Sequence, residues 1–566
     1  MGSTDSVDEE REIEDVWRET KVRARTREVL RADANCFAVP RIVPHANVTS
    51  FVHVCESALA KASRPCVALR SVVASRTRHE MTTKKCPENT VFSSRGSIVA
   101  RPMSATRASS ARFARPKTMP RSRGNAVSAV SSVEPSTSTA GWTQKVITLE
   151  PKQRGIFIWT HTLRGALPEM RDVRGAGMLN LFVQSSTCAL SINENCDPDV
   201  RSDMQNALDA MFPGSDTDRT SAVGVSIDLP VRAGALALGT WQGLYLLASG
   251  AGPVTVVATL YTCSDQSTQK HVTLKAPARG AHEVQDTLDE ALESIKKINN
   301  NSRGPLLINV TAKHTSASLA IMGAAMGNES CHNLEPMMNA LVPEKWNYPG
   351  HAVTFRHTDE GDDDMPAHVK SSLLGVSKTI PVDLETGELM LRETQGVFLC
   401  EHRNGGGFGG TGGSRSATVT VLDKKVCIGQ TVIEVVTTGS GKRVDVTETL
   451  QKTLEKFLKE KDAKASTGLL HVFARNSAVS LSVGEKNKGI TEGVTVDNCS
   501  LTATLNRLVC DCDTTNLPAL VGNSVSIPFR DGALLVSETQ SLFVAEHAAV
   551  GGRRSIVVTA TGDVTL

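Results

Sequence analysis

The stretch from His357 to His368 holds the densest reactive chemistry in the chain. Between Asp359 and Asp364, five of six residues are carboxylates, with Gly361 among them, and His357 and His368 flank the run. Carboxylate oxygens suit hard cations such as Mg²⁺, whereas imidazole suits Zn²⁺, Mn²⁺ or Fe²⁺. Crowded carboxylates also raise one another's pKa, which suits acid–base work. Gly361 allows the backbone to bend inside the run. Asp363, Asp364 and His368 form the candidate metal set, with Mg²⁺ and Zn²⁺ both open. His314 stands on a separate apolar run, followed by Thr315 and Ser316. Two plainer readings compete: a solvated acidic loop for the run, and a satisfied core histidine for His314. Elsewhere the signals are weaker. Cys331 and His332 have nothing else spaced to complete a metal site. The Gly-rich stretch from Asn404 to Gly413 reads as an expanded hairpin tip rather than an anion nest. Neither a GxxxxGK[ST] loop nor a GxSxG elbow is present.

The elements that must carry these residues recur three times. A β-type run opens each copy: Val146-Ile147-Thr148-Leu149, then His271-Val272-Thr273-Leu274, then Thr431-Val432-Ile433-Glu434. Amphipathic helical spacing follows, as Leu288, Leu292 and Ile295 in the second copy and Leu450, Leu454 and Leu458 in the third. The first copy has Leu163 and Leu167 before Pro168. Next comes an apolar strand with a polar tip, at Gln184-Ser185-Ser186, at Lys313-His314-Thr315 and at Arg475-Asn476-Ser477. A late strand pair closes each copy around Pro230 with Gln242, Pro381 with Gln395, and Pro528 with Gln540. Strands dominate, with one main helix per copy, so the class is α+β. The units are expected at 141–265, 268–424 and 425–566. Short links between them favour an intramolecular pseudo-trimer over separate beads.

Residues 1–140 differ in character. The span from Arg101 to Ala140 is hydroxyl-rich and carries Arg101, Arg107, Arg112, Arg115, Lys117, Arg121 and Arg123 against Glu134 alone. That composition predicts a disordered, transit-peptide-like region starting near Met103 and a plastid or mitochondrial address. If the region is only a basic linker, the protein is cytoplasmic. The 566 residues carry a net charge of +2 and only 4% aromatics, which argues against a nucleic-acid platform. No apolar run is long enough for a membrane span. The 13 cysteines are scattered and form no CxxC pair, which points to free thiols in a reducing compartment.

Longer motifs carry a family resemblance. The second copy contains His314-Thr315-Ser316-Ala317-Ser318, the whole His357–His368 segment, and Glu401-His402-Arg403. The first contains Asn193-Glu194-Asn195-Cys196-Asp197-Pro198 with Asp203, and Gly239-Thr240-Trp241-Gln242-Gly243. Together these closely resemble the YjbQ-like family, also called the secondary thiamine-phosphate synthase family, from about Trp142 onward. The resemblance implies a trimeric ring with clefts between units. It also implies a site built from His314, His357, Glu360, Asp363, Asp364, His368 and Glu194, with Thr315, Ser316, Asn193, Gln395 and Arg403 binding substrate. Here those motifs are divided between copies. Ser185 and Asn476 stand in place of His314, and the NEN…DP segment survives only in the first copy. A single composite site from units 1 and 2 is therefore expected, in a monomeric chain. The implied activity is metal-assisted chemistry on a small phosphorylated molecule, either thiamine-phosphate synthase-like transfer or phosphate-ester hydrolysis. The alternative is a non-catalytic binding or structural protein with degenerate sites.

Overall fold

The computed structural model describes residues 130–133, 137–139, 141–263, 266–298, 304–323, 329–348, 350–351, 353–392, 394–404, 413–461, 467–486, 495–496, 500–509 and 515–563. The transit-peptide reading of residues 1–129 lies outside them, as does most of the Gly-rich tip. The last part of the span expected to be disordered forms two short strands. Val130–Val133 and Thr137–Thr139 both pair antiparallel with Trp142–Leu149.

Each unit folds as a large and a small antiparallel sheet. In unit 1 the large sheet runs Trp142–Leu149, Val254–Cys263, Ala176–Val183, Ser226–Arg232, and the small one Gly155–Ile158, Gln242–Ala248, Ala189–Glu194. Unit 2 repeats that order with Gln269–Ala276, Gly413–Asp423, Pro305–Ala312, Ser377–Pro381, and Gly280–Glu283, Gln395–Glu401, Ala317–Gly323. Unit 3 does so with Cys427–Val436, Arg553–Gly562, Thr467–Ala474, Ser524–Arg530, and Lys442–Asp445, Gln540–Glu546, Val479–Glu485. The core strands read as mainly apolar runs because both of their faces are covered: every residue of Ala176–Val183, Pro305–Ala312 and Thr467–Ala474 is buried, the polar Asn180, Asn309 and His471 included.

The amphipathic helices form where the spacing places them. Leu288, Leu292 and Ile295 are buried in Gln285–Ile298. In Thr447–Glu460 the buried stripe is Leu450, Leu454 and Phe457, with Leu458 half-buried against the same core. Each unit carries two further helices that periodicity did not announce. They are Pro198–Met211 and Asp216–Val223, then Glu329–Leu341 and Asp364–Leu374, then Ser500–Leu508 and Leu517–Val521. Their apolar faces meet in one core shared by the three units, including Met204, Leu208, Met338, Met365, Val369, Leu505 and Leu517. Pro336 inside one helix and the polar faces of the others break up the sequence pattern. Among the described residues no helix is long and apolar enough to cross a membrane. Cys188, Cys196, Cys263, Cys400 and Cys427 are in no disulfide.

Two sets of glutamines close the ring. Gln144, Gln269 and Gln430 hold the same place on the first strand of each large sheet. Each amide nitrogen donates to a threonine of its own unit (Thr259, Thr420, Thr559) and to a carbonyl of another (Phe529, Val231, Val382). The second set points the opposite way round. Gln242 donates to the Ala312 and His314 carbonyls, Gln395 to Ala474, and Gln540 to Val183 and Ser185. Unit 1 thus reaches unit 2, unit 2 reaches unit 3, and unit 3 returns to unit 1. All six glutamines are at least half-buried, so each bond satisfies groups that would otherwise lose water without replacement. The chain is an intramolecular pseudo-trimer.

Candidate functional site

The boundary between units 1 and 2 gathers the divided motifs. On the unit 1 side, strand Ala189–Glu194 delivers Asn193 and Glu194 at its end. The chain then turns into helix Pro198–Met211. Asp197 caps that helix by accepting from the Asp199 N–H at 2.9 Å, and Pro198 opens its first turn. On the unit 2 side, helix Asp364–Leu374 carries Asp364 and His368 one turn apart on one face. Gly361 makes the turn before this helix at φ +119°, a conformation that favours glycine.

The unit 1 carboxylates hold His357 and border His368. Asp203 is fully buried, and its Oδ2 accepts from the Arg356 and His357 N–H groups at 2.6 and 2.8 Å. His357 Nδ1 lies 2.7 Å from Asp197 Oδ2, and its Nε2 lies 2.8 Å from Asp364 Oδ2. With a carboxylate on each nitrogen, His357 is an imidazolium. Burial alone would lower its pKa, but the bonds to Asp197 and Asp364 outweigh that and raise it to about 10. His368 lies beside it, with ring centroids 5.3 Å apart. Its Nε2 faces Glu194 Oε2 at 3.4 Å and Asp364 Oδ1 at 3.5 Å. Burial pushes His368 down to about 4, against the pull of Asp364. Burial likewise pushes Glu194 up to about 7, opposed by His357. Asp364 stays well below the usual carboxylate range: its burial is outweighed by His368, His357 and Arg403.

Glu194, His357 and His368 each offer one donor atom, and these lie within 4.8 Å of one another. Of the residues expected to hold metal, His368 is in this cluster; Asp364 borders it, 2.8 Å from His357 and 3.5 Å from His368, and Asp363 is not part of it. Asp363 accepts from the Asn404 N–H at 2.5 Å, with Arg403 Nε at 3.4 Å. Arg403 reaches Asp364 at 2.8 Å and Glu360 at 2.9 Å, so its guanidinium is spent on the acidic run. Glu360 is raised by burial and by Asp364. His314 sits at the polar tip above, where Gln242 holds its carbonyl at 3.0 Å. Its Nδ1 accepts from the Ser316 N–H at 3.2 Å, so the neutral ring carries its proton on Nε2. Burial, then Arg415, drives it down to about 3, with His368 and Arg403 acting the same way and Asp364 opposing. Thr315 and Ser316 are buried.

Two expected substrate contacts have other roles. Gln395 lies at the boundary of units 2 and 3, bonded to the Ala474 carbonyl 3.2 Å away. Its counterpart at the gathered site is Gln242, which the repeated Gln spacing could have identified. Asn193 is fully buried, and its amide is filled by unit 2 rather than open to a ligand. Arg356 was not foreseen. It bonds Asp199 at 2.8 Å beside the Asp203 anchor.

Among the described residues the other two boundaries lack this set. Glu194 pairs with Gln242 across the small sheet, and the residues paired with Gln395 and Gln540 are Gly323 and Glu485. At the distance that separates His368 from the helix-ending Gly375, Thr217 precedes Gly224 and Thr515 precedes Gly522. A different cluster, Ser318–His402–Glu335, has the hydrogen bonding of a nucleophilic triad, at 2.8 and 3.0 Å. Ser318 and His402 have no exposure, and unit 3 repeats the pair as Ser480 and His547 at 2.8 Å. This is a scaffold bond between neighbouring strands.

Comparison with known proteins agrees with the threefold repeat. The family model described as "UPF0047 protein YjbQ-like" matches residues 145–260, 270–424 and 431–563. The UPF0047 protein YjbQ of Escherichia coli O157:H7 is 37% identical over 144 residues, which is 25% of this chain and 90% of that protein. The UPF0047 protein YugU of Bacillus subtilis is 35% identical over 98 residues, 15% of this chain and 73% of that protein. A solved protein of the YjbQ/UPF0047 family from Clostridium acetobutylicum is 28% identical and covers 20% of this chain and 96% of its own, with a TM-score of 0.19.

Proposed function

The chain belongs to the UPF0047 YjbQ-like family, and on that premise we propose that it is an enzyme with one composite, metal-assisted site at the boundary of units 1 and 2. Its substrate is a small phosphorylated molecule. The first reaction to test is thiamine-phosphate synthase-like transfer, in which a diphosphate leaves a pyrimidine as a thiazole phosphate attacks; phosphate-ester hydrolysis is the second. The observation that carries the reading is the convergence of Glu194, Asp364 and His368. Neutral His368 turns its Nε2 lone pair toward Glu194 Oε2 and Asp364 Oδ1. Arg403 already sits on that Asp364 oxygen, so the edge between His368 and Glu194 is where two acceptors meet without a donor, and it favours a cation or a proton there.

The donor set fits a divalent ion held by Glu194, Asp364 and His368. His357 as an imidazolium stands outside it, held by Asp197 and Asp364. When bound, the ion would neutralise charge on a phosphate or departing diphosphate. The electrostatics favour that assistance. Asp197, Asp203, Glu194, Glu360, Asp363 and Asp364 outnumber Arg356, Arg403 and His357, and a bare phosphate would meet repulsion. The chain's own groups then divide the work. His314 presents an Nε2–H donor to a substrate oxygen. Without an ion, burial holds Glu194 near 7, so ion binding at neutral pH releases its proton. His357 keeps its proton and fixes Asp364.

The test is metal content of the purified chain together with a phosphate- and diphosphate-release screen, with and without added Mg²⁺, Mn²⁺ and Zn²⁺. Release that depends on a divalent ion and is lost in Glu194→Ala supports the reading. No bound metal, with no release from any phosphorylated substrate, would leave the binding or structural role as the better account.

A further inference from the structure

We propose that Asn193 of unit 1 is a positioning residue that locks the tautomer of His368 in unit 2. It holds the proton on Nδ1 and turns the Nε2 lone pair into the site. The catalytic consequence rests on the reading above; the lock itself does not.

The argument starts from groups whose roles are fixed by chemistry. A backbone N–H only donates and a backbone carbonyl only accepts. The Glu194 N–H lies 2.8 Å from one atom of the Asn193 amide, which must therefore be the oxygen, Oδ1. The His368 carbonyl lies 2.8 Å from the other, which must be the nitrogen, Nδ2. These two contacts, at opposite ends of the amide, independently fix its orientation. Nδ2 spends its second hydrogen on Ser372 Oγ at 2.8 Å. Oδ1 has one acceptor position left, and His368 Nδ1 fills it at 2.7 Å. That contact is a hydrogen bond only if Nδ1 carries the hydrogen. Asn193 has no exposure and His368 only 2%, so water cannot stand in for either partner. In the neutral ring, which burial favours, Nε2 is then unprotonated. It faces Glu194 and Asp364 at 3.4 and 3.5 Å.

The residues in the place of Asn193 in the other units are Met322 and Gly484. Neither side chain offers an oxygen to a ring nitrogen, and the Met322 thioether is at best a weak acceptor. One residue of unit 1 thus does for unit 2's His368 what a carboxylate or carbonyl beside a metal-binding histidine usually does.

The test uses the full chain labelled with ¹⁵N-histidine, with His368→Gln identifying the signal. At neutral pH the wild type is expected to show a protonated Nδ1 and an Nε2 of the unprotonated type. Asn193→Leu should lose that pattern, giving the other tautomer or a mixture. Asn193→Asp should keep the Nδ1 proton, and Ser372→Ala should change nothing at the ring. Zn²⁺ added alone should bind about 10- to 100-fold more weakly to Asn193→Leu, the loss usual for a partner of a metal-binding histidine. If Asn193→Leu does not fold, Asn193→Ser, too short to reach Nδ1, carries the same contrast with Asn193→Asp. An unprotonated Nδ1 in the wild type, or a wild-type tautomer in Asn193→Leu or Asn193→Ser, overturns the lock. A correct tautomer with Zn²⁺ bound no better by the wild type than by His368→Gln leaves the lock standing and overturns the metal site.

Discussion

Replacing His357 by Gln removes the imidazolium that stands between Asp197 and Asp364, and the consequence can be worked out in sign and size. The folded pKa is about 10, against an ordinary value of 6.5. A folded-state value raised in this way contributes stability that is fully present below pH 6.5 and is lost as pH rises through 10. Between those limits the folded chain keeps a proton that the unfolded chain has released, and the contribution falls by about 1.4 kcal/mol per pH unit. The side chain is only 3% exposed, so solvent screens little of this. The assay is urea denaturation of wild type and His357→Gln between pH 7 and 8. Groups not coupled to His357, such as Lys378, which burial lowers to about 8, cancel in the difference. Glu194 does not, because His357 holds it down, and its further rise in the variant takes back part of the effect. The wild type should therefore lose more than the variant across that unit, by at most about 1.4 kcal/mol. At pH 7 the variant should be less stable by about 3 to 5 kcal/mol, because two buried carboxylates lose their shared cation. Parallel pH curves, or a variant as stable as the wild type at pH 7, would refute the imidazolium assignment and with it the placing of His357 outside the metal set.

Gln242→Leu removes both donors to the unit 2 carbonyls and should cost about 2 to 3 kcal/mol, with lower metal affinity; Gln395→Leu should cost similar stability and leave metal binding intact, as thermal melts and metal titration would read. Glu194→Ala and His314→Ala should each abolish most phosphate release, with the double variant little worse than either, since groups acting as one unit are not additive. A silent Glu194→Ala beside a severe His314→Ala would mean that unit 2 works alone. Light scattering should return the mass of one chain, and a trimer of chains would contradict the closed ring. A reporter carrying residues 1–130 should enter a plastid or mitochondrion, and a diffuse cytosolic signal would contradict that address.

How far the sequence could be read depended on what each residue answers to. The sheets were legible because their strands answer to burial on both faces, as in Leu306-Leu307-Ile308. The first helices were legible because one stripe meets one core, and even there the third-unit stripe settles on Phe457 with Leu458 at its edge. The second and third helices were not. Their apolar faces pack against helices of other units, so no single copy shows why Met338 or Leu505 must be buried. The site followed the same division. Residue type marked out His357, Asp364 and His368, and the complementary loss of motifs tied them to Glu194. Direction could not be read. Asp363 turns to Asn404 and Arg403 while its neighbour Asp364 turns to the histidines, and only the helix start at Asp364 separates them. Gln395 and Gln242 are the same residue in the same motif, and they differ only in which boundary each one serves.

Fusion of three units into one chain explains why a single boundary can hold the whole site. In a ring of identical subunits, every substitution falls on all three boundaries at once. In a fused ring each boundary changes alone. The axis preserves a record of that freedom. Asp228, Thr379 and Ser526 occupy one equivalent place, paired across the sheet with Asn180, Asn309 and His471. Asp228 accepts from Thr379 Oγ1 at 2.8 Å, from Ser526 Oγ at 2.7 Å and from Asn180 Nδ2 at 2.8 Å. One carboxylate is thus satisfied by hydroxyls of both other units. Three identical subunits would bring three carboxylates to that point, where each would repel the others and none would find a hydroxyl donor. An interaction of this kind exists only once the copies are free to differ. The same freedom let Gly323 replace the counterpart of Glu194, and Asn476 the counterpart of His314, without loss at the boundary where Glu194 and His314 remain.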